Sequence, residues 1–257
     1  MLGFSDTPSV DFLPDDDARA WVADGLRDHA ARLGPAARKG RIITKSTIDQ
    51  PRDLDDLFEL MCGVQAEIGQ EDVEFSLVEL DPDDPPSKLG YEPLGNPVGQ
   101  LVHTFVKRND LVIVAVPAIF KVPELALGSV ARELGRIAVH LAGGPLVDDP
   151  ADLEGDAELA AIVLGLGVWV ANGAYVYESA CCGGGCGIDL KSLRAGLSMP
   201  EACFGLAVDS QRNGISRRVV GKHLQPNQRA ALKRSWSYVK RQPALLEAAP
   251  QQAALGA

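Results

Sequence analysis

The chain has 257 residues, 46% of them apolar and 5% aromatic, and its 35 acidic and 25 basic side chains give a formal charge of −10. This length and apolar fraction exclude a disordered chain. Five cysteines are too few for a disulfide-stapled secreted domain, and no cationic segment with an apolar run opens the sequence, so we expect a cytoplasmic globular protein.

Two amphipathic helices are predicted first. Asp15-Asp16-Asp17 precede apolar residues at helical spacing as far as Leu33, and Gly34-Pro35 ends this first helix. A second helix is predicted from about Pro51 to Ile68, with Gly69 as its stop signal.

A small antiparallel sheet is predicted next. Apolar and polar residues alternate from Val73 to Val78, which indicates a strand, and the proline-rich segment Asp81 to Pro97 indicates an exposed loop. The segments Gln100 to Val106 and Leu111 to Val116 are separated by four polar residues, which is typical of a β-hairpin.

The helix predicted from Pro123 to Gly143-Gly144 has an apolar stripe and a polar face. At helical spacing, the polar face holds Ser129, Arg132, Glu133, Arg136 and His140. The simplest interpretation is a solvated face. The alternative is a functional cluster.

A further helix is predicted to start near Asp156 or Ala157, and it continues through 19 uncharged residues from Leu159 to Tyr177. Glycines and a missing aromatic belt favour a buried core helix over a membrane span. A capped helix from about Ser198 to Arg212 and a last helix from about Pro226 follow.

The basic side chains concentrate near the C-terminus. Residues 191–241 contain 11 Lys and Arg against Glu201 and Asp209, so this segment carries +9. The cations alternate with apolar residues as on solvated helix faces, and no nucleic-acid-binding motif accompanies them. We therefore expect the basic end to pack against the acidic remainder, and we expect neither a nucleic-acid nor a membrane partner.

One short motif suggests a chemistry. In the zinc-peptidase pattern His-Glu-x-x-His, two histidines one helical turn apart bind the metal and the glutamate activates water. The corresponding residues here are Arg132-Glu133-Leu134-Gly135-Arg136. Arginine therefore occupies both ligand positions.

The order of several segments resembles a group of largely uncharacterised bacterial zincin-like proteins. The resemblance is carried by 131–136, Gly143-Gly144, the apolar run 158–172, Leu197-Ser198-Met199-Pro200-Glu201, 204–207 and the basic last helix. In that group a His-Glu-Leu-x-His helix is followed by a long apolar helix whose early glutamate is a further ligand. The resemblance covers about residues 50–242.

The resemblance implies an α+β, zincin-like fold with a small antiparallel sheet and a mainly helical C-terminal half. It implies an N-terminal helical segment at 1–50, the zincin-like domain at 51–242 and a flexible tail at 243–257. It puts Glu133 at the general-base position, Glu158 at the acidic ligand position, and Arg132 and Arg136 at the histidine positions.

These arginines argue against a zinc cofactor. A guanidinium stays protonated and has no lone pair for a metal. His140, one turn beyond Arg136, offers a single nitrogen, which with Glu158 leaves zinc short of ligands. An arginine does supply positive charge to a site that retains Glu133 and Glu158, so the arginines could replace the metal.

A second candidate site is the cysteine-rich turn. Cys181, Cys182 and Cys186 could bind zinc with Cys203 or His140, or could form a redox pair. The simpler interpretation is a turn of small residues whose thiols have no role. His29, His103 and His223 have no recognisable partners in the sequence.

The leading functional hypothesis is a catalytically inactive, zincin-like protein that binds a protein or small molecule through the former active-site cleft. One alternative is an enzyme that uses Glu133 and Glu158 with the arginines or the cysteines, with or without a metal. Another is a scaffold whose cleft is filled by its own side chains.

Overall fold

The computed structural model describes residues 12–34, 41–44, 48–179, 193 and 195–247, without the side chains of 177–179. The fold is α+β: a small mixed sheet and a mainly helical remainder. The helices are α1 (Asp16–Arg32), α2 (Leu54–Ile68), α3 (Pro123–Leu141), α4 (Leu153–Ala161), α5 (Gly167–Ser179), α6 (Met199–Arg212), α7 (Arg217–Gly221) and α8 (Pro226–Lys240).

Local capping explains several helix boundaries. The side chain of Asp15 accepts a hydrogen bond from the Ala18 amide at the start of α1, and Asp53 does the same for the Asp56 amide of α2. Gly69 ends α2 with a φ of 76°, in the left-handed region that favours glycine. Ser198 and Glu201 form the capping box of α6.

The sheet is not purely antiparallel, so that prediction is wrong. Its strands are β1 (Ser76–Glu79), β2 (Glu92–Pro93), β3 (Val102–Lys107) and β4 (Asp110–Ala115), in the order β1-β4-β3-β2. The hairpin β3–β4 is antiparallel as predicted, but β1 pairs with β4 in parallel. Within the long segment 80–101, the chain passes from β1 to the far edge of the sheet, where it forms β2. The chain then continues into the hairpin.

The long apolar helix is divided and begins earlier than predicted. Its first part, α4, starts at Leu153, so Glu158 lies in the second turn and not at the helix start. Ile162–Leu166 form a wider π turn before α5, and Gly165 breaks the helix there with a φ of 95°.

These helices lie in the centre of the core. The segment Leu153–Val176 is long and apolar enough to cross a membrane, but 83% of its most apolar window is buried inside the protein. Helices α3, α4, α5 and α6 pack on one another, and α1 packs on α4 and α6. The predicted core helix is confirmed by this burial.

Candidate functional site

The polar face of α3 is buried, which contradicts the interpretation of a solvated face. Ser129, Arg132, Glu133 and Arg136 are each at most 5% exposed. Helix α4 packs along this face and contributes Glu154 and Glu158, which are also buried. We refer to Arg132, Glu133, Arg136, Glu154 and Glu158 as the arginine–glutamate cluster.

Glycines in α3 permit this close packing. A Cβ atom at Gly135 would lie 2.2 Å from the carbonyl oxygen of Ala157 in α4. At Gly128 it would lie 2.9 Å from the Cα of Gly173 in α5. The backbones of the three helices therefore approach closely only because these positions lack side chains.

Each arginine of the cluster contacts more than one carboxylate. Arg136 donates to Glu154 with 2.5 Å between Nη2 and Oε2, and to Glu133 with 3.1 Å between Nε and Oε2. Arg132 lies 3.4 Å from Glu154 through Nε and 3.5 Å from Glu158 through Nη1. The cluster thus alternates charges in space, as a buried ionic network requires.

Glu133 also connects α3 to the sheet. Its Oε2 accepts hydrogen bonds from the backbone amide of Thr104, at 2.9 Å, and from the Thr104 hydroxyl, at 2.8 Å. Arg136 donates from Nη1 to the carbonyl oxygen of Leu94, at 2.5 Å. The Leu94 amide donates to the Thr104 carbonyl at 2.9 Å. In a regular antiparallel pair, the Thr104 amide would also donate to the Leu94 carbonyl. Here the Thr104 amide donates to Glu133 instead, and the Leu94 carbonyl accepts from Arg136.

The cluster is closed on two sides by backbone. Leu94 and Gly95 follow β2, and a Cβ at Gly95 would lie 2.2 Å from Nη1 of Arg136. On the other side, the amides of Gly196 and Leu197 donate to Glu158, at 3.3 and 2.7 Å. A surface depression of about 300 Å³ beside Trp21, Gly155 and Gly196 is not lined by any cluster side chain.

The cluster holds three carboxylates against two guanidiniums, and the pKa values of Glu133 and Glu158 are shifted in opposite directions. Burial would raise the pKa of Glu133, but Arg136, Arg132 and the Thr104 hydrogen bond together lower it to about 2. Burial raises the pKa of Glu158 despite Arg132 and the Gly196 and Leu197 amides. Glu158 therefore takes up a proton more readily than Glu133 does.

The structure brings together four of the predicted site residues: Arg132, Glu133, Arg136 and Glu158. His140 lies on the same helix but is half-buried and makes no hydrogen bond or ion pair with the cluster in the described part of the chain. The sequence analysis missed Glu154. Its spacing of four residues before Glu158 was the available signal, because such residues share a helix face.

The predicted cysteine site lies at 181–186, outside the described residues. Cys203, its suggested fourth ligand, is buried in α6, with Sγ 3.7 Å from the carbonyl oxygen of Gln228. In the part of the chain that the structure describes, no group of three or more His, Cys, Asp and Glu side chains is arranged to hold a metal ion.

Two of the remaining histidines are buried, and one has a partner that the sequence did not reveal. Nε2 of His29 in α1 lies 2.7 Å from Oδ1 of Asp156 in α4. His103 in β3 is 4% exposed, and burial lowers its pKa to about 4. His29 therefore links α1 to α4, whereas neither ring nitrogen of His103 has a hydrogen-bond partner among the described residues.

Known proteins give no direct guide to this site. No protein-family model, curated protein or solved structure matches the chain. What the arrangement can do must therefore be argued from its own geometry.

Proposed function

We propose that this chain is a catalytically inactive, zincin-like protein that binds a protein or small molecule, and that two arginines replace the metal ion of an ancestral site. The observation that carries the proposal is the position of Arg132 and Arg136 among Glu133, Glu154 and Glu158, all buried. Two guanidiniums supply the same charge as one Zn²⁺ ion, and neither can act as a metal ligand.

The state of Glu133 supports a non-catalytic role. A general base needs access to the proton it removes and a pKa near the working pH. Glu133 is 0% exposed, and Thr104 and the arginines engage both of its oxygens. Its pKa of about 2 makes it a weak base.

Binding at the former cleft requires the turn after β2 to move. Oε1 of Glu154 lies beneath this turn, 3.3 Å from where a Cβ of Gly95 would be, and has no hydrogen-bond partner among the described residues. A ligand that displaces Gly95 would meet this acceptor. The chemistry that fits it is a hydrogen-bond donor or a cationic group.

Metal analysis tests the proposal. Purified protein should contain far less than one equivalent of zinc, and chelators should leave its melting temperature unchanged. One equivalent of zinc would overturn the proposal. Cys181→Ser with Cys182→Ser and Cys186→Ser would then show whether the cysteine turn holds that metal.

Restoring the histidines tests the ancestral alignment. Arg132→His with Arg136→His places two imidazoles one turn apart, beside Glu158, which should create a zinc site. We expect about one equivalent of zinc and a higher melting temperature when zinc is present. Arg132→Gln with Arg136→Gln is the matched control. A folded double-histidine variant that takes up no zinc would refute the alignment with a metal-binding helix.

A scaffold role is the second candidate, because the cluster side chains fill the space that a ligand would need. Thermal-shift screening with small cations and amine ligands separates the two roles. A binding protein should gain melting temperature, and Glu154→Gln should remove that gain. If no ligand raises the melting temperature of the wild type, the scaffold role is favoured.

A further inference from the structure

A long stretch of the chain is purely acidic. Residues 53–87, which include α2 and β1, contain 12 Asp and Glu side chains and no Lys, Arg or His. Asp56 is half-buried and the other 11 are exposed. Among the described residues, Asp56 with Arg52 is the one ion pair of this acidic region.

The basic C-terminal helices do not neutralise this region. Arg217, Arg218, Lys233 and Arg234 lie exposed on α7 and α8. The main contacts of α8 are with α5, α6, α7 and the 3₁₀ turn Pro243–Leu246, and α2 packs mainly on β1 and α3. With respect to the described residues, the acidic region therefore remains available to a partner.

Strand β1 lies at the edge of the sheet, inside the acidic region. Leu80, directly after β1, donates its amide to Ala115 of β4 at 2.9 Å. In a parallel pair, residues two apart direct their backbone groups to the same side. Ser76 and Val78 therefore face β4, while the amides and carbonyls of Leu77 and Glu79 face the open edge.

Exposed apolar side chains flank this edge. Val78 is 39% exposed and Leu80 is 36% exposed. Phe58 of α2 is 41% exposed, and its ring centroid lies 5.2 Å from that of Phe75, which precedes β1. An added strand alternates its side chains between the two faces of the sheet, so one set would cover Val78 and Leu80 and the other set would lie over the face that carries Phe75 and Glu79.

We propose that β1 binds an extended segment of a partner protein as an additional strand, and that this segment alternates apolar and basic residues. Backbone hydrogen bonds to Leu77 and Glu79 would hold it, its apolar side chains would pack on Val78 and Leu80, and its cations would meet Glu79 and the nearby Asp81 on the other face. A second copy of β1 fits poorly, because it would bring like charges together across the new pair. This inference does not depend on the arginine–glutamate cluster.

Amide hydrogen exchange on the full chain tests the proposal. The probe is a blocked peptide of alternating valine and lysine, and the control peptide has glutamate in place of lysine. The Leu77 and Glu79 amides should exchange rapidly in the free protein and slow by roughly tenfold or more with the lysine peptide only. Equal protection by both peptides, or protection at neither amide, would overturn the proposal.

Two variants make the test specific. Glu79→Pro removes an outward amide and spares the ladder with β4, whereas Glu79→Gln keeps the amide and removes the charge. Glu79→Pro should weaken peptide binding roughly tenfold or more, and Glu79→Gln severalfold. Glu247→Gln, an exposed site outside the acidic region, should leave binding unchanged.

Two further results would overturn the proposal. Glu79→Pro could bind the peptide as well as the wild type does while melting at the same temperature. Alternatively, the free protein could form dimers whose Leu77 and Glu79 amides are already protected. The second result would assign the edge to another copy of the chain. If Glu79→Pro fails to fold, Val78→Lys, which adds a cation at the edge, should reduce binding instead.

Discussion

Helices α3 and α8 both have an apolar stripe and a charged face, yet only the charged face of α3 is buried. On α8, the side chains of Arg229, Lys233 and Arg234 are exposed. Helix α3 contains Gly128 and Gly135, which admit α5 and α4, whereas α8 contains no glycine. A charged helix face becomes interior where a neighbour can approach closely and bring the opposite charge.

Removing an arginine should reveal the largest difference in stability between the buried charged face of α3 and the exposed charged face of α8. Arg136→Met leaves Glu133 and Glu154 without their closest cationic partner, and breaking a buried pair in this way costs about 3–5 kcal/mol of unfolding free energy. Arg234→Met, the matched change on α8, should cost within about 0.5 kcal/mol. Urea denaturation measures both values.

Coupling within the cluster can be measured with the same method. Glu154→Gln combined with Arg136→Met should cost clearly less than the sum of the single changes, because the two side chains are direct partners. Additive effects below about 1 kcal/mol each would refute a buried network.

Acid should weaken the cluster through Glu133. Its pKa is lowered to about 2 in the folded protein, so its stabilising contribution is complete above the unfolded pKa and is lost as the pH falls to about 2. The contribution is about 3 kcal/mol, at roughly 1.4 kcal/mol per pKa unit. Unfolding free energies from pH 5 to pH 2 should therefore fall more steeply for the wild type than for Glu133→Gln. Equal slopes would contradict the low pKa.

Asp209 on α6 should show the opposite pH dependence, because it forms no ion pair with an arginine of the described residues. Burial raises its pKa to about 7, although Asn213 donates a hydrogen bond to it. The folded state then keeps a proton that the unfolded state releases, so stability falls as the pH rises from about 4 to 7. Asp209→Asn should remove that decline, which amounts to about 4 kcal/mol at pH 8. An unchanged pH profile in this variant would contradict the raised pKa.

The helix spacing can be altered directly. Gly135→Ala places a methyl group against the backbone of Ala157, and overpacking of this kind costs about 1–3 kcal/mol. Gly63→Ala on α2 meets no atom within 4 Å and should stabilise the protein by about 0.5–1 kcal/mol. Thermal unfolding of the two variants should therefore shift in opposite directions.

Much of the fold could be predicted from local signals. Asp15, Gly69 and the Ser198–Glu201 capping box mark helix ends through short-range hydrogen bonds and backbone conformation. The parallel position of β1 could not be predicted, because pairing partners far apart in sequence leave no local pattern. Leu153 begins α4 before the apolar run, earlier than the predicted start near Asp156 or Ala157.

The candidate site was predictable in its residues but not in its environment. Spacing alone placed Arg132, Glu133 and Arg136 on one face, and the resemblance suggested Glu158. No sequence pattern within α3 indicates that this face is buried, because its burial depends on α4 and on the Leu94–Gly95 turn. The His29–Asp156 contact joins residues 127 positions apart, so periodicity could not reveal it.

The break at Gly165 changes what the apolar segment can reach. At about 1.5 Å per residue, the nine residues of α4 extend about 13 Å and the 13 residues of α5 about 20 Å. Neither matches the roughly 30 Å of a bilayer's hydrocarbon core. The Gly165 carbonyl, turned out of the helix, accepts the amide of Ile43 at 2.9 Å. A segment with the length and composition of a transmembrane helix therefore forms two short helices. A segment from the N-terminal part of the chain binds where these two helices meet.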